Sequence, residues 1–381
     1  MDPVSQEEGR SMKNGMVQLS AALWVVAWLA PVGCQWDWDN KWDWDREPAV
    51  LTVDVSHAVE KSEAVLRAAA EDEDPFTRAH AMEALGQTLA QGAGDLYVKA
   101  LDDPEPSVRF AAAMAIGDSQ YAPAKPHLVE LMEDPATRDV FQCALIYALH
   151  RLGETGYNRK LGVFLWEPDK RLRANTALVM GKIGHPSAIE PLKKLLVDEQ
   201  DPMVEVNIIE SLASLGDVAA GMRLQGYCRT PYVDQQLLAI RALARLRPEG
   251  AEQELSDKLK DSDWPRIRVA AAGGLGRMGQ ATSEAYAYCI KALQQPGELL
   301  AKAYPEATIP ESHVASLQQM AAVALGWLGQ DIAINDLYPL LDSPRGPVRV
   351  ASAMSILLLA PEGELPHADA DADADGPDSS D

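Results

Sequence analysis

Chemistry in this chain of 381 residues would have to come from its seven histidines, four cysteines and 57 carboxylates. None of the histidines is followed by glutamate: the next residues are Ala58, Ala81, Leu128, Arg151, Pro186, Val314 and Ala368. An iron centre built on repeated His-Glu pairs is therefore excluded. Cys34, Cys143, Cys228 and Cys289 show no CxxC and no other metal-ligand spacing. The last three sit in helical patterns, where a free cysteine packs as a small hydrophobe. G-x-S-x-G, a phosphate-binding glycine loop and H-E-x-x-H are all missing. Asp371-Ala-Asp373-Ala-Asp375-Gly376 matches the first six positions of a calcium loop, but the sequence reaches Asp381 without the bidentate glutamate that closes one. That stretch reads as a solvated acidic segment. No catalytic residue, metal or cofactor is expected.

The formal net charge is −23, from 34 basic and 57 acidic residues. Long-range attraction to a phosphate backbone is ruled out on that balance, so nucleic acid is not an expected partner.

The elements that could hold a binding surface come from a repeat. Between His57 and Gly363 a helix, a short turn and a second helix of the form V-R-x-x-A-A-x-x-L-G recur. Aligned on the arginine, the units fall at Arg78, Arg109, Gln142, Arg173, Glu205, Gln236, Arg268, Gln318 and Arg349. The spacing is 31 to 33 residues except before Gln318, where it is 50. A fixed period of this size is the mark of a solenoid. Seven residues after each aligned position the residue is apolar in all nine units, from Leu85 to Ile356. Three residues after, it is small or apolar, which lets neighbouring helices approach. Asp74-Pro75, Asp103-Pro104, Asp134-Pro135, Glu167-Pro168, Asp201-Pro202 and Ser343-Pro344 mark the turns. There an acid is placed to cap orphan amides, and proline suits the first helical position.

"DDPEPSVRFAAAMAIGD" and "SDWPRIRVAAAGGLGRMGQ" resemble HEAT repeats of the phycobilisome-lyase type, over about 300 residues. The resemblance implies an all-α fold: a right-handed α-solenoid, an ARM/HEAT-like superhelix of about nine helix pairs, with the second helices lining a concave face. It implies a scaffold and no reaction. The extra residues around 296–313, with their prolines, read as an inserted loop. Residues 364–381 are too acidic and too poor in apolar residues to build a core, and read as a disordered tail.

One column across the repeats stands out. Nine residues after the aligned positions come Gln87, Asp118, Arg151, Lys182, Ser214, Arg245, Arg277, Trp327 and Leu358. Four cations recur at one helix-end position of an acidic protein. They either complement helix dipoles, at about 0.3–1 kcal/mol each, or form a basic ridge on the concave face. In the second case Phe110, Met114 and Tyr147, at non-core positions of their helices, join them as candidate partner-binding residues.

Asn14 to Trp36 carries no charge, and "AALWVVAWLAPVG" (21–33) is apolar but shorter than the roughly 20 residues a spanning helix needs. With Arg10 and Lys13 before it and Val32-Gly33 leading into Cys34, the segment resembles a bacterial lipoprotein signal peptide (1–33). In that family the cysteine, here Cys34, takes a diacylglycerol. Pro31 departs from the family's pattern, which has an aliphatic residue there. The acidic opening is foreign to a signal peptide, and a start at Met12 gives the usual form. Gln35, in place of Asp, implies the outer membrane under enterobacterial sorting.

"QWDWDNKWDWDREP" (35–48) then becomes a tether (34–55) at the membrane surface, where tryptophan is favoured. It is no propeller signature, since nothing downstream repeats as strands. Nor is it an EF-hand, since Lys41 and Trp42 stand where a ligand and a glycine are needed. The sequence therefore leads to a lipid-anchored, extracytoplasmic scaffold in a bacterial cell envelope, outer membrane or periplasm-facing, that binds an unidentified and acidic protein partner. An enzyme with an undetected site, or a structural protein binding envelope polymer, are the rival readings.

Overall fold

The structure, a computed structural model, describes residues 50–361, apart from the side chain of Asp139. The signal segment, Cys34, the tryptophan tether up to residue 49 and the acidic tail lie outside the described residues.

The described residues form helices and turns with no strand. The first helices of the repeats make an outer layer. They are α1 (Val55–Ala69), α3 (Gly94–Ala100), α5 (Lys125–Glu133), α7 (Arg159–Phe164) and α9 (Ile189–Asp198). The layer continues through α11 (Val218–Tyr227), α13 (Ala251–Asp261), α15 (Ser283–Gln294) with α16 (Pro296–Ala303), and α18 (Ile334–Leu337). The second helices make an inner layer: α2 (Pro75–Thr88), α4 (Pro106–Ser119), α6 (Asp139–Arg151), α8 (Lys170–Ile183) and α10 (Pro202–Ser214). Beyond them come α12 (Val233–Leu246), α14 (Pro265–Arg277), α17 (Glu311–Leu328) and α19 (Gly346–Leu359). The expected α-solenoid of nine helix pairs is present.

The arginine that marks the repeat ties each turn shut. Arg78 Nη1 donates to the carbonyls of Asp72 and Glu73, at 2.8 and 3.0 Å. Arg109 reaches Asp103 and Pro104 in the same way, and Arg173 reaches Glu167 and Pro168. Where the repeat has glutamine, the amide takes over: Gln142 donates to Thr137 O and Gln236 to Thr230 O. Capping by the turn acids holds at two of the expected sites. Asp74 accepts from Phe76 N and Thr77 N, and Asp201 from Met203 N and Val204 N. Asp103, expected to cap α4, stands outside it, and Glu105 occupies the cap position without a side-chain bond. The Asp103 carboxylate instead accepts from both Arg78 Nε and Arg78 Nη2, at 2.7 and 2.8 Å.

Eight of the nine apolar residues seven after the aligned position are buried; Met180 is half-buried. The inner helices run parallel, with like ends in contact. Ser214 at the end of α10 donates to Gly181 O at the end of α8, and Arg247 just past α12 to Arg277 O at the end of α14. Glycines just before these ends permit the approach: a Cβ at Gly276 would stand 2.7 Å from Trp327 O, and one at Gly326 2.6 Å from Ser355 Oγ.

The solenoid does not remain open. Each inner helix packs on the next, and the last, α19, packs on the first, α2, while α1 lies against both. Asn335 Oδ1 accepts from Thr52 N, Thr52 Oγ1 and Val53 N, and Asn335 Nδ2 donates to Val50 O. Lys61 pairs with Asp342 at 2.7 Å and Arg349 with Asp72 at 3.0 Å. The nine repeats thus close into a ring.

The expected loop at 296–313 is mostly helical. α16 buries Leu299 and Leu300, and only Tyr304–Pro310 separates it from α17. Apolar residues at helical spacing override the local proline signal, because Pro296 sits at the start of α16, where its missing amide costs nothing.

Candidate functional site

Closure turns the expected concave face into the inner surface of a ring. With nine helices about 9 Å apart, axes on opposite sides lie only about 26 Å from one another, and long side chains meet across the middle. Lys182 Nζ of α8 reaches past α6 to Asp118 of α4, at 2.9 and 3.0 Å. Tyr147 of the intervening α6 donates its hydroxyl to the same carboxylate, and its ring lies 4.5 Å from Lys182 Nζ. On α10, Glu210 accepts from Arg241 at 3.1 Å and Arg245 at 2.9 Å, both of α12. Arg277 stacks over Trp327, 5.0 Å from the ring centre. His80 and Gln319 face each other at 3.4 Å across the closing junction.

This interior shifts the protonation of its members. Burial pushes the Glu83 carboxyl up, against the opposing pull of His80, Arg241 and Lys182. Burial likewise lowers Lys182, with Asp118 opposing. Burial alone would raise Glu210, but Arg241 and Arg245 outweigh it and hold the carboxyl below its ordinary value. Burial, then repulsion from Arg245, Arg247 and Arg241, brings Arg277 down to about 9.

The four cations expected to form a ridge do lie at one end of the inner helices, but not on an open face. Lys182 keeps only 2% of its side chain exposed and Arg245 21%, each on a carboxylate. Arg151 Nε donates to Gly117 O near the end of the neighbouring α4, so it serves that helix terminus as the dipole account requires. Phe110, Met114 and Tyr147, placed off the core by the sequence reading, are buried at 6, 4 and 0% exposure. Both α4 and α6 are flanked by the inner helices before and after them, so positions that the sequence reading left off the core are covered by their neighbours.

Glu83, Glu210 and Arg241 were not singled out from the sequence, although they belong to the same surface. They lie five residues after the aligned positions, and so one turn before the nine-residue column on the same helix face. Reading the two columns together would have revealed the carboxylates that answer the cations. Among the described residues no group of histidine, cysteine and acidic side chains could hold a metal ion, and no helix is long and apolar enough to cross a membrane.

A second surface lies outside the ring. Val163 of α7, Trp166 just after it, Val197 of α9, and Val218 and Met222 of α11 are 46–84% exposed. These three outer helices are consecutive in the layer. Lys194 of α9 lies over the Trp166 ring at 5.4 Å, and Lys193 pairs with Asp217, the cap of α11, at 2.6 Å. Arg159, Lys160, Lys170, Arg171, Lys193 and Lys194 fall in the same stretch of a strongly acidic chain.

The profile of HEAT repeats matches residues 62–150 and 159–235. A comparison with curated protein sequences finds no match. Among solved structures the chain is similar to human deoxyhypusine hydroxylase in complex with glycerol, at 16% identity and a TM-score of 0.34, over 80% of this chain and 97% of that one. It is also similar to the complex of CpcE and CpcF of phycocyanin lyase from Nostoc, at 22% identity and a TM-score of 0.34, over 69% and 94%. An engineered protein matches at 17% identity and a TM-score of 0.29, over 81% and 99%. The chain carries HEAT repeats folded as an α-solenoid.

Proposed function

We propose that this chain is a lipid-anchored, extracytoplasmic scaffold of a bacterial cell envelope that holds a protein partner on the outside of its ring. The observation that carries the reading is the exposure of five large apolar side chains, Val163, Trp166, Val197, Val218 and Met222, on three consecutive outer helices. Large apolar side chains grouped on a surface mark an interaction site, and tryptophan and methionine are enriched in such interfaces. Lys194, over the Trp166 ring, adds a cation that fits a partner with an acidic group beside its apolar contact face. Anchoring rests on the likeness of residues 12–34 to a lipoprotein signal.

Two measurements test the reading. Cys34→Ser should move the protein from the membrane to the soluble fraction, and the mature wild type should begin at an acylated Cys34. A photo-cross-linker at Val197 should trap one protein in stoichiometric amount. Trp166→Glu with Met222→Glu should abolish that capture, and Phe76→Ser, at an exposed apolar site elsewhere, should leave it intact. Capture indifferent to the patch would overturn the scaffold reading.

A further inference from the structure

Four residues before the aligned position, Asp74, Asp169 and Asp201 each cap the helix that follows. In the sixth and seventh repeats that place is taken by Tyr232 and Trp264, and neither side chain makes a cap bond. Two consecutive units therefore forgo a stabilising contact and put aromatic rings at the edge of the array where the inner helices begin. Tyr232 is 64% exposed and Trp264 half-buried. The break in the repeat period adds a third ring there. Its inserted helix, α16, packs against α14 and α17 and ends at Ala303. Tyr304 then lies 5.1 Å from Trp264, ring centre to ring centre, at a tilt of 43°. Tyr304, Pro305, Glu306 and Ala307 line an open hollow of about 370 Å³ at this pair.

The polar groups at this edge have capacity to spare. Arg266 of the seventh repeat comes only to 3.7 Å of Asp234 of the sixth, beyond hydrogen-bonding distance, and its Nε has no partner among the described residues. Burial pushes the Tyr304 hydroxyl up, with Arg266 opposing and Asp234 adding to the rise, so both charges stand near it. Donors beside aromatic faces suit a chain whose carbonyls are free. Polyproline II is such a chain, since it forms no internal hydrogen bonds, and aromatic surfaces recognise it. The spacing agrees. Neighbouring inner helices lie about 9 Å apart, which sets the distance between the starts of α12 and α14. One turn of polyproline II, three residues at about 3.1 Å each, advances by about 9 Å. Within residues 232–234, 263–266 and 304–306, the exposed acids Asp234, Asp263 and Glu306 stand against Arg266 as the one base, so a basic residue in the ligand is matched by charge.

We infer that the edge carrying Tyr232, Trp264 and Tyr304 binds a proline-rich, basic segment of a partner protein in the polyproline II form. Prolines one turn apart rest on Tyr232 and on the Trp264–Tyr304 pair. Arg266 donates to a carbonyl between them, and a lysine or arginine of the ligand faces Asp234 or Glu306. The site is separate from the exposed side chains of α7, α9 and α11, and it stands whether or not those hold a partner.

The test is fluorescence anisotropy of the full chain in detergent micelles with a fluorescein-labelled nonapeptide, three repeats of Pro-Pro-Lys. Saturable binding is expected, and Trp264→Ser and Tyr304→Ala should each weaken it at least fivefold. Tyr232→Ser separates binding from folding, because serine is a good helix cap. Its melting temperature should hold or rise while its affinity falls at least fivefold. Phe76→Ser, at an exposed aromatic site elsewhere, should change nothing. Absence of binding, equal binding of three repeats of Gly-Gly-Lys, or an affinity unmoved by Tyr232→Ser would each overturn the inference. Displacement of the peptide by triacetylchitotriose would overturn it as well, by giving the edge to a glycan.

Discussion

Arg349 of the last repeat donates to Asp72 of the first at 3.0 Å, across 277 positions of chain. The contact repeats one made inside the array, where Arg78 takes Asp103 of the next repeat and Arg173 takes Glu199. In each case the arginine that ties its own turn reaches forward to an acid of the following unit. The ring therefore closes through the same kind of junction that joins successive repeats, and the ninth unit treats the first as its successor.

Closure of this kind carries a measurable coupling. A double-mutant cycle on Arg349→Ala and Asp72→Ala should give an interaction of about 0.5–1.5 kcal/mol, the range for a partly exposed, charge-assisted pair. The Arg78–Asp103 cycle, whose partners are more enclosed and joined by two bonds, should give more. Zero coupling at Arg349–Asp72 beside a normal value at Arg78–Asp103 would show that the ends do not meet in solution.

Glycine at the inner helix ends should resist any enlargement. At Gly276 a methyl group meets Trp327 O and Leu328 N, and at Gly326 it meets Ser355, all within 3 Å. Gly276→Ala and Gly326→Ala should each lower stability by about 1–3 kcal/mol, as overpacking does. Gly162→Ala, with nothing near its Cβ, is the control and should be neutral or slightly stabilising in thermal melts.

Glu210 is the shared anion of two guanidiniums in the interior and keeps only 4% of its side chain exposed. Removing it takes away the buried carboxylate that both guanidiniums share. Glu210→Ala should cost about 3–5 kcal/mol. The same change combined with Arg241→Met should recover part of the loss. A double variant no better than the single one would mean that Arg241 is not strained by losing its partner.

Acid should loosen the array through its inter-repeat pairs. The Arg173 guanidinium, bonded to Glu199 at 2.7 and 2.9 Å, is the largest influence holding that carboxyl below its ordinary 4.5. A lowered folded value means that the unfolded chain takes up the proton first. The stabilisation is complete above 4.5 and disappears as pH falls through the folded value. Arg173→Met should therefore lower the melting temperature at neutral pH and make less difference in acid. An equal loss at both pH values would remove Glu199 from the acid response.

Sequence periodicity alone established the helix pairs, their number, the apolar positions seven residues after each aligned site, and the turns marked by acid-proline pairs, but not that Arg78, Arg109 and Arg173 tie those turns. All of these depend on contacts within one repeat or between neighbours, and each unit carries its own copy of the signal. Whether the array ends free or returns on itself is another kind of question. It is set by small rotations summed over nine units, none of which any single repeat displays. Packing between successive inner helices decided what Arg151, Lys182, Arg245 and Arg277 face, and it buried Phe110, Met114 and Tyr147. The curvature of the inner layer put Lys182 within reach of Asp118 two repeats away. Only the tertiary structure brings such groups together, because the geometry that joins them belongs to the ring and to no one helix.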